Sequence, residues 1–311
     1  MQNDGFVNKI SDYISKKVAD KLTGMCKTDR ESYEKYWDDI SPFIKFGCLK
    51  DEKFCDKMSD YILFKNIDHE YLTLKDCIAK NGGAQEAKAE EEKTEAAEGE
   101  TTEEKAEEKK VTIYYVTDEQ QQSQYINMFK QEGLDAVLLT HNIDSPFVTQ
   151  LEQRNENVQF QRIDADLTDT FKEEVAKEEE EAFKADTETL TDVFRKALEN
   201  DKLEVKVEKL KNENVASMVT LSEQSRRMQE MMKMYNMYGM DPSMFGTDVT
   251  LVLNANHPLV QYVLKNKDGE HVPMFCKQLF DLAMLSNKPL NPEEMTAFIN
   301  RSNEIMMLLA K

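Results

Sequence analysis

The alternation of strand and helix patterns in residues 111–163 limits the possible folds more than any other feature of this chain. Three short β-branched and apolar runs are separated by two amphipathic segments, and the runs are Val111–Val116, Asp135–Leu139 and Val158–Ile163. Gly133 is a helix stop, and Ser145-Pro146 is typical of a helix start with Ser145 as N-cap. Strands that alternate with helices pair in parallel through right-handed crossovers. The pattern therefore predicts a small parallel sheet.

Residues 1–80 follow a helical period instead. Apolar residues from Val7 to Met25 recur every three or four positions and line one face of a first helix. Thr28 and Glu31 have the spacing of a capping box for a second helix, which should end near Gly47, and a third helix should begin near Asp51. Three amphipathic helices with short joints predict a coil of packed helices.

The stretch from Asn81 to Lys110 is an acidic insert. It holds eleven Glu and five Lys and contains no aromatic or branched aliphatic residue. Such a segment buries too little apolar surface to offset the entropy lost on ordering. We expect a solvated, disordered insert that interrupts the folded part of the chain.

The C-terminal part mixes both periods. Residues 169–200 are expected to be helical, and short strands are expected near 205–207, 216–220 and 250–253. A Met-rich helix should cover about 222–238, and two helices, 272–285 and 292–309, should close the chain. The predicted class is therefore mixed α+β and α/β: a helical coil, a small α/β/α subdomain with a parallel sheet, and a mixed C-terminal domain that ends in a helical hairpin.

Composition and motifs argue against an enzyme or a nucleic-acid-binding protein. The net charge is −20, from 60 acidic and 40 basic residues, and such a field repels phosphates and anionic lipid. The turn Thr117–Gln120 after the first strand has two carboxylates and no glycine, so it does not suit a nucleotide phosphate. The four histidines show no metal-ligand spacing, and His257, before Pro258, is expected to have a structural role at a strand-to-helix turn.

Localisation follows from what the sequence lacks. No apolar run approaches the roughly 20 residues of a membrane-spanning helix, and the first residues show no signal peptide. The five cysteines are scattered and odd in number, which favours a reduced, cytoplasmic chain.

Methionine is unusually dense near position 230, with eight Met residues in the 27 positions 218–244. Because Met is flexible and polarizable, an exposed Met surface suits partners of varied shape. Burial of one helix on several sides explains the same composition, so both interpretations stay open. The candidate partner-binding residues are Met228, Met231, Met232, Met234, Tyr235, Met237, Met240 and Met244, with Phe147 of the α/β subdomain as a further candidate.

The closing hairpin is the second candidate surface. Asn291-Pro292-Glu293-Glu294 combines an N-cap, a Pro at the first helical position and a Glu at the third. The two apolar-faced helices either dock on their own domain or pair with a second copy in a four-helix arrangement. The candidate interface residues are Leu279, Leu282, Leu285, Met295, Phe298, Ile299, Ser302, Ile305 and Leu309.

Several of these stretches resemble the ninety-kilodalton heat-shock chaperone family, most closely its bacterial HtpG branch. The resemblance is carried by Ile10–Leu22, Ile113–Thr117, Asp135–Leu139 and Ser222–Met244, followed by Leu253-Asn-Ala-Asn-His-Pro-Leu259. It covers nearly the whole chain except the acidic insert and corresponds to the C-terminal half of the family, namely the end of the middle domain and the C-terminal dimerisation domain.

The resemblance implies a domain scheme and a function. Residues 1–80 would be the helical coil of the middle domain, 81–110 the insert, 111–185 the small α/β/α subdomain and 186–311 the dimerisation domain. The expected function is that of a stress-response chaperone half that forms a homodimer and binds unfolded clients. ATP and Mg²⁺ would belong to the family's N-terminal domain, so neither a cofactor nor a metal is expected in this chain, and Gln2 matches only a remnant of the catalytic loop. The alternative function is a dimeric scaffold or adaptor with one fixed partner.

Overall fold

The computed structural model describes residues 5–82, 110–165, 171–173, 175, 179–221 and 249–310, apart from the side chains of residues 5–8 and 309. The chain divides into two compact units. Unit 1 is Met1–Thr117 with Leu134–Arg162, and unit 2 is Asp118–Gly133 with Ile163–Lys311. Both units combine helices with a small sheet, which confirms the mixed α and β class predicted from the sequence.

Unit 1 contains a helical half and two small sheets. Its helices are α1 (Gly5–Thr28), α2 (Arg30–Lys50), α3 (Glu52–Met58) and α5 (Asp144–Arg154). Its strands are β1 (Leu63–Lys65), β2 (Tyr71–Thr73), β3 (Val111–Val116), β4 (Ala136–Leu138) and β5 (Val158–Arg162), and residues 74–82 are helical. The strands β3, β4 and β5 form a parallel sheet in the order β4-β3-β5, which confirms the parallel pairing predicted for residues 111–163.

The antiparallel pair β1–β2 was not predicted from the sequence. Each strand has only three residues, too few for an alternating pattern to stand out. His69, in the loop between them, has a φ of 63°, and the Asn66 side chain accepts hydrogen bonds from the backbone N–H groups of Asp68 and Glu70. This side-chain-stabilised turn explains how such short strands stay paired.

Three helix starts in the chain differ from the sequence predictions. Asp29, not Thr28, caps α2, because the Asp29 carboxylate accepts the Ser32 N–H at 3.3 Å. The helix also continues three residues beyond Gly47, to Lys50. Helix α5 begins at Asp144, so Ser145 lies within its first turn rather than at the N-cap. The helix predicted from residue 169 begins at Glu180, and Lys172 instead pairs with Leu210 in an antiparallel bridge.

The apolar face predicted for α1 is only partly buried. Ala19 is fully buried in the unit 1 core, and Leu22 and Met25 pack against that core. Ile10, Ile14 and Val18, however, are 44–54% exposed. The apolar period is therefore helical along its whole length, but among the α1 side chains that the structure describes, those of the C-terminal part are the ones that pack on the unit 1 core.

Unit 2 is built on a three-stranded mixed sheet. Its helices are α4 (Ser123–Gln131), α6 (Glu180–Leu198), α7 (Pro258–Lys265), α8 (Val272–Leu285) and α9 (Pro292–Leu309), and its strands are β6 (Glu204–Glu208), β7 (Ser217–Thr220) and β8 (Thr250–Asn254). The strand order is β6-β8-β7, with β6 parallel and β7 antiparallel to β8. Helix α8 packs against α6 and β7, so its buried side chains share one core with the sheet.

Asn254 organises the turn that follows β8. Its side chain is fully buried, and its amide donates to the carbonyls of Asn212 and Val215 while its oxygen accepts the N–H groups of Leu210 and Asn256. All four hydrogen-bonding positions of the amide are thus used. The Asn-Ala-Asn-His-Pro run therefore holds three loop segments of unit 2 together. In the ranges that the structure describes, no helix is long and apolar enough to cross a bilayer.

Candidate functional site

The hairpin α8–α9 starts its second helix with the capping box that the sequence predicts. The Asn291 side chain accepts the N–H groups of Glu293 and Glu294 at 3.0 and 2.8 Å, and the Glu294 carboxylate accepts the Asn291 N–H at 2.9 Å. Pro292 is the first residue of the helix. These contacts satisfy backbone donors that a helix start otherwise leaves unpaired, so α9 is stable from its first turn.

Two polar contacts fix α9 against α8. Both terminal nitrogens of Arg301 donate to Asp281 Oδ2, at 2.8 and 2.7 Å, and both side chains are only 12–15% exposed. Gln278 Nε2 donates to Ser302 Oγ at 3.0 Å. The Arg301–Asp281 contact is charge-assisted, and such contacts are strong when partly shielded from water. They set the rotation of α9 about its own axis, and hence which side chains it presents outward.

The exposed side of α9 carries several large apolar side chains among polar ones. None of the α9 side chains that the structure describes is buried. Ile299 is 50% exposed, Met306 is 58% exposed and Met307 is 66% exposed. Ile299 and Met306 lie seven residues apart and therefore share one face of the helix. A helix with this face is unusual at the surface of a monomer, where large apolar patches mark contact sites.

The residues predicted at a dimer interface differ in their exposure. Leu279 is only 2% exposed and belongs to the unit 2 core, which corrects its assignment to a surface, because its side chain has no access to a partner. Met295, Phe298, Ser302 and Ile305 of α9 are partly buried, and Ile299 is exposed. Leu282 is 45% exposed and Leu285 is partly buried. The side chain of Leu309 lies outside the described part of the chain.

Leu282 and Leu285 line an open groove of unit 2 with a volume of about 1020 Å³. The groove also has a dense set of side-chain amides, contributed by Gln120, Gln121, Gln124, Asn127, Gln131, Asn212 and Asn214. Amides both donate and accept hydrogen bonds, as peptide groups do. Part of this wall of amides is engaged within unit 2, because Asn212 Nδ2 donates to Gln131 Oε1 and Gln124 Oε1 accepts from Ser286 Oγ, both at 2.9 Å.

The amide wall was not predicted as a site. Its only signal in the sequence is the run Gln120-Gln121-Gln122, followed by Gln124. Asn212 and Asn214 come from a loop about 90 residues later, and only the fold brings the two segments together.

The candidate client-binding residues from Met228 to Met244 lie outside the residues that the structure describes, as do Gln2 and residues 83–109 of the acidic insert. Phe147, the further client-binding candidate, is fully buried in the core of unit 1. The Lys45 ammonium lies 6.0 Å from the centroid of its ring. The Phe147 ring is therefore a packing element and is not available on the surface of unit 1, which corrects its assignment.

Local geometry agrees with the two structural predictions about turns. The Asp118 carboxylate accepts the N–H groups of Gln120 and Gln121, both at 3.0 Å, so the donors that a phosphate would need are already occupied. His257 caps α7, because its Nδ1 accepts the Leu259 N–H at 3.1 Å. Burial lowers the pKa of His257 below its usual value, which favours the neutral ring that this hydrogen bond requires.

A buried ion pair in unit 1 was also missed. Lys45 Nζ of α2 lies 2.5 Å from Asp144 Oδ1 of α5, and their side chains are 5% and 3% exposed. The other Asp144 oxygen accepts the His141 N–H at 2.9 Å. The partners are 99 residues apart in the sequence, so no local pattern could pair them.

Comparison with known proteins identifies the relatives of the chain. A family model described as Hsp90 protein matches residues 1–89 and 88–311. The chaperone protein HtpG of Bacteroides fragilis strain YCH46 is 32% identical over 281 residues, which cover 87% of this chain and 37% of that relative. HtpG of Porphyromonas gingivalis strain ATCC 33277 is 32% identical over 298 residues, covering 93% of this chain and 40% of the relative. HtpG of Ruthia magnifica is 26% identical over 311 residues, covering 96% and 45%.

The chain thus spans less than half the length of these relatives, and the matched portion is a C-terminal part of them. The family model covers both units of the fold, including the strands β3 to β5 of unit 1 and the hairpin α8–α9 of unit 2. The chain therefore belongs to the Hsp90 family of chaperones.

Proposed function

We propose that this chain works as the dimerising and client-binding part of an HtpG-type chaperone in the bacterial cytoplasm. The observation that carries the proposal is the exposure of two apolar side chains of α9. Polar contacts hold this helix against α8, yet Ile299 is 50% exposed and Met306 is 58% exposed. Family membership supplies the functional class, because the named relatives are chaperone proteins.

Pairing of two copies through α9 would cover this face. An isologous interface uses the same patch on both copies, so each exposed apolar residue of the face is buried in both copies. Full burial of a side chain of this size is worth roughly 1.5–3 kcal/mol, so two half-exposed residues per copy contribute about 3–6 kcal/mol to the dimer.

The test is the oligomeric state of surface variants. Ile299→Asp and Met306→Asp place a charge on the exposed face, whereas Ile305 is partly buried within the protomer and would confound dimer loss with misfolding. We expect both Asp variants to be monomers in light scattering at tens of micromolar, where the parent chain is a dimer. Asn300→Asp adds the same group at an exposed polar position of α9 and should leave the dimer intact. A monomeric parent chain would refute the proposal.

Client binding is assigned to two surfaces. The first is the amide and leucine groove of unit 2, whose polar groups match a peptide backbone. The second is the Met-rich stretch from Met228 to Met244, for which the support is composition. Two weak contacts on one client gain through effective concentration, and a dimer doubles their number.

The client test compares variants of matched exposure. Leu282→Ser, in the groove, and Ile10→Ser, in unit 1, each remove a side chain that is 44–45% exposed. We expect only Leu282→Ser to weaken the protection of an unfolding protein from aggregation, by several-fold in the concentration needed. The triple Ser variant of Met231, Met232 and Met234 should weaken it as well. Equal protection by all variants that remain folded dimers would exclude both surfaces.

The competing proposal is a dimeric adaptor with one fixed partner. The loose chemistry of the groove favours the chaperone, because amides and leucines accept many sequences. Comparable protection of several unrelated unfolding proteins supports the chaperone. Binding to one folded protein, with no protection of unfolded ones, supports the adaptor.

A further inference from the structure

Two buried thiols meet where α2 gives way to α3 in unit 1. Cys48 lies in the last turn of α2 and Cys55 lies in α3, and both are fully buried. A β-carbon added to Gly47 would lie 2.9 Å from Phe54 Cε1, so the two helices approach each other closely at this corner. The residues that follow Gly47 and Phe54 are Cys48 and Cys55, and the side chains of these two cysteines lie within hydrogen-bonding range of each other.

Gln150 of α5 contacts both cysteines. Its Nε2 donates to the Cys48 carbonyl at 3.1 Å, and its Oε1 lies 4.0 Å from Cys55 Sγ, from which it accepts. Arg154, one turn further along α5, pairs with Asp56, the neighbour of Cys55. The thiol pair is therefore enclosed by three helices, with a surface ion pair on its outer side.

We propose that Cys48 and Cys55 are an oxidation site that a hydroperoxide, such as hydrogen peroxide, converts into an intramolecular disulfide. The structure shows both thiols reduced, as it does the other three cysteines. The proposal does not depend on the chaperone function, because it rests on unit 1 alone.

The chemistry assigns a different role to each sulfur. A hydrogen bond from the Cys48 thiol, with the positive charge of Arg154 nearby, lowers the pKa of Cys55. The same hydrogen bond and burial raise the pKa of Cys48. Since the thiolate is the nucleophile, Cys55 reacts first and Cys48 is the resolving thiol.

The oxidation takes two steps, a sulfenic acid on Cys55 and then the disulfide, and both conserve atoms and electrons. The Cys55 thiolate attacks one peroxide oxygen, the S–O bond forms as the O–O bond breaks, and the departing hydroxide takes a proton to become water. The Cys48 sulfur then attacks the Cys55 sulfur, the S–S bond forms as the S–O bond breaks, and the Cys48 proton leaves with the hydroxyl group as a second water. Two thiols lose two electrons in total, and one peroxide gains them.

The other buried thiols are internal controls. Cys77 in unit 1 and Cys276 in unit 2 are at most 1% exposed, and burial raises the pKa of each to about 12. Neither thiol has a second cysteine among the groups that shift its pKa. If burial alone decided the rate, all four buried thiols would react alike.

Trypsin makes the disulfide directly visible. Cleavage after Lys45, Lys50, Lys53 and Lys57 releases Cys48 in the peptide 46–50 and Cys55 in the peptide 54–57. The reduced full-length chain is treated with hydrogen peroxide under native conditions, alkylated and digested without reductant. We expect the two peptides to appear as one linked species, lighter by two hydrogens than their sum, before Cys77 and Cys276 lose alkylation. Treatment with dithiothreitol should separate them again.

Variants identify the order of the steps. In Cys48→Ser, dimedone should trap a sulfenic acid on Cys55, and in Cys55→Ser, Cys48 should react no faster than Cys77. Cys77→Ser should leave the linked peptide unchanged. The Ala variants serve as a second set if a Ser hydroxyl unfolds the site, as judged by circular dichroism. Absence of the linked peptide while Cys26 becomes oxidised, or its formation only in urea, would overturn the proposal.

Discussion

The buried pair of Lys45 and Asp144 provides the sharpest test of what stabilises unit 1. The Nζ–Oδ1 distance is 2.5 Å and both side chains are at most 5% exposed. Lys45→Met removes the cation but leaves the Asp144 carboxylate buried, with the His141 N–H at 2.9 Å as its remaining donor in the contacts described above. Removing one partner of a buried ion pair typically costs about 3–5 kcal/mol, because the other charge stays desolvated.

The assay uses the single tryptophan of the chain. Trp37 is 2% exposed in the core of unit 1, so its fluorescence during urea unfolding reports on this unit. With a urea m-value of about 2 kcal/mol/M, a loss of 3–5 kcal/mol lowers the midpoint by about 1.5–2.5 M. Lys75→Met is the control, because the Lys75–Asp60 pair is 78% and 60% exposed. Loss of a surface pair costs at most about 1 kcal/mol, or about 0.5 M.

The double variant separates the ion pair from simple loss of packing. Lys45→Met combined with Asp144→Asn removes both charges and keeps an oxygen that can accept the His141 N–H. It should be more stable than Lys45→Met alone, with a coupling of about 2 kcal/mol between the two sites. A Lys45→Met midpoint within 0.5 M of the parent, or strictly additive losses, would show that the pair does not carry the stability assigned to it.

Four further predictions concern other parts of the chain. Asn254→Ala leaves four backbone groups without the amide they now bond, so unit 2 should lose about 3–5 kcal/mol in calorimetry. His257→Asn should change the free energy of unfolding in a pH-dependent way. Because the folded pKa of His257 lies below its ordinary value of 6.5, its contribution is complete above that pH and is lost as the pH falls through the folded pKa; unfolding curves of the two proteins should therefore converge at low pH. Deletion of residues 83–108 should leave the melting temperature within a few degrees, since that stretch lacks aromatic and branched aliphatic residues. A phosphate-release assay with the chain alone should not exceed the buffer rate with ATP; a rate abolished by a substitution in this chain would contradict this.

Sequence periodicity was sufficient for much of the fold. The strands β3, β4 and β5, their parallel pairing and the helices α8 and α9 lie where the patterns predict, and the capping box at Asn291 is present. These features are local, because a few neighbouring residues determine them: alternation defines a strand, three- and four-residue steps define a helix, and a Pro after Asn sets a helix start.

Tertiary structure decided which apolar residues are exposed and which face the core. Leu279 and Leu282 lie on the same predicted helix, yet one is 2% exposed and the other 45%. Phe147 and Ile14 show errors opposite to each other: the expected surface ring is buried, and the expected inward side chain is exposed. A helical period shows that a helix has an apolar side but does not show what covers it.

The polar sites depend even more on the fold. Asp144 finds Lys45 across 99 residues, and the amide wall joins a glutamine-rich helix start to a loop about 90 residues away. Cys48 and Cys55 are near in sequence, but they meet only because Gly47 lets α3 pack closely on the end of α2. The sequence alone determined most of the longer elements, their order and the family, because these depend on local chemistry and recognisable stretches. The packing of distant segments determined the charges, thiols and grooves, because no local pattern records which segments will touch.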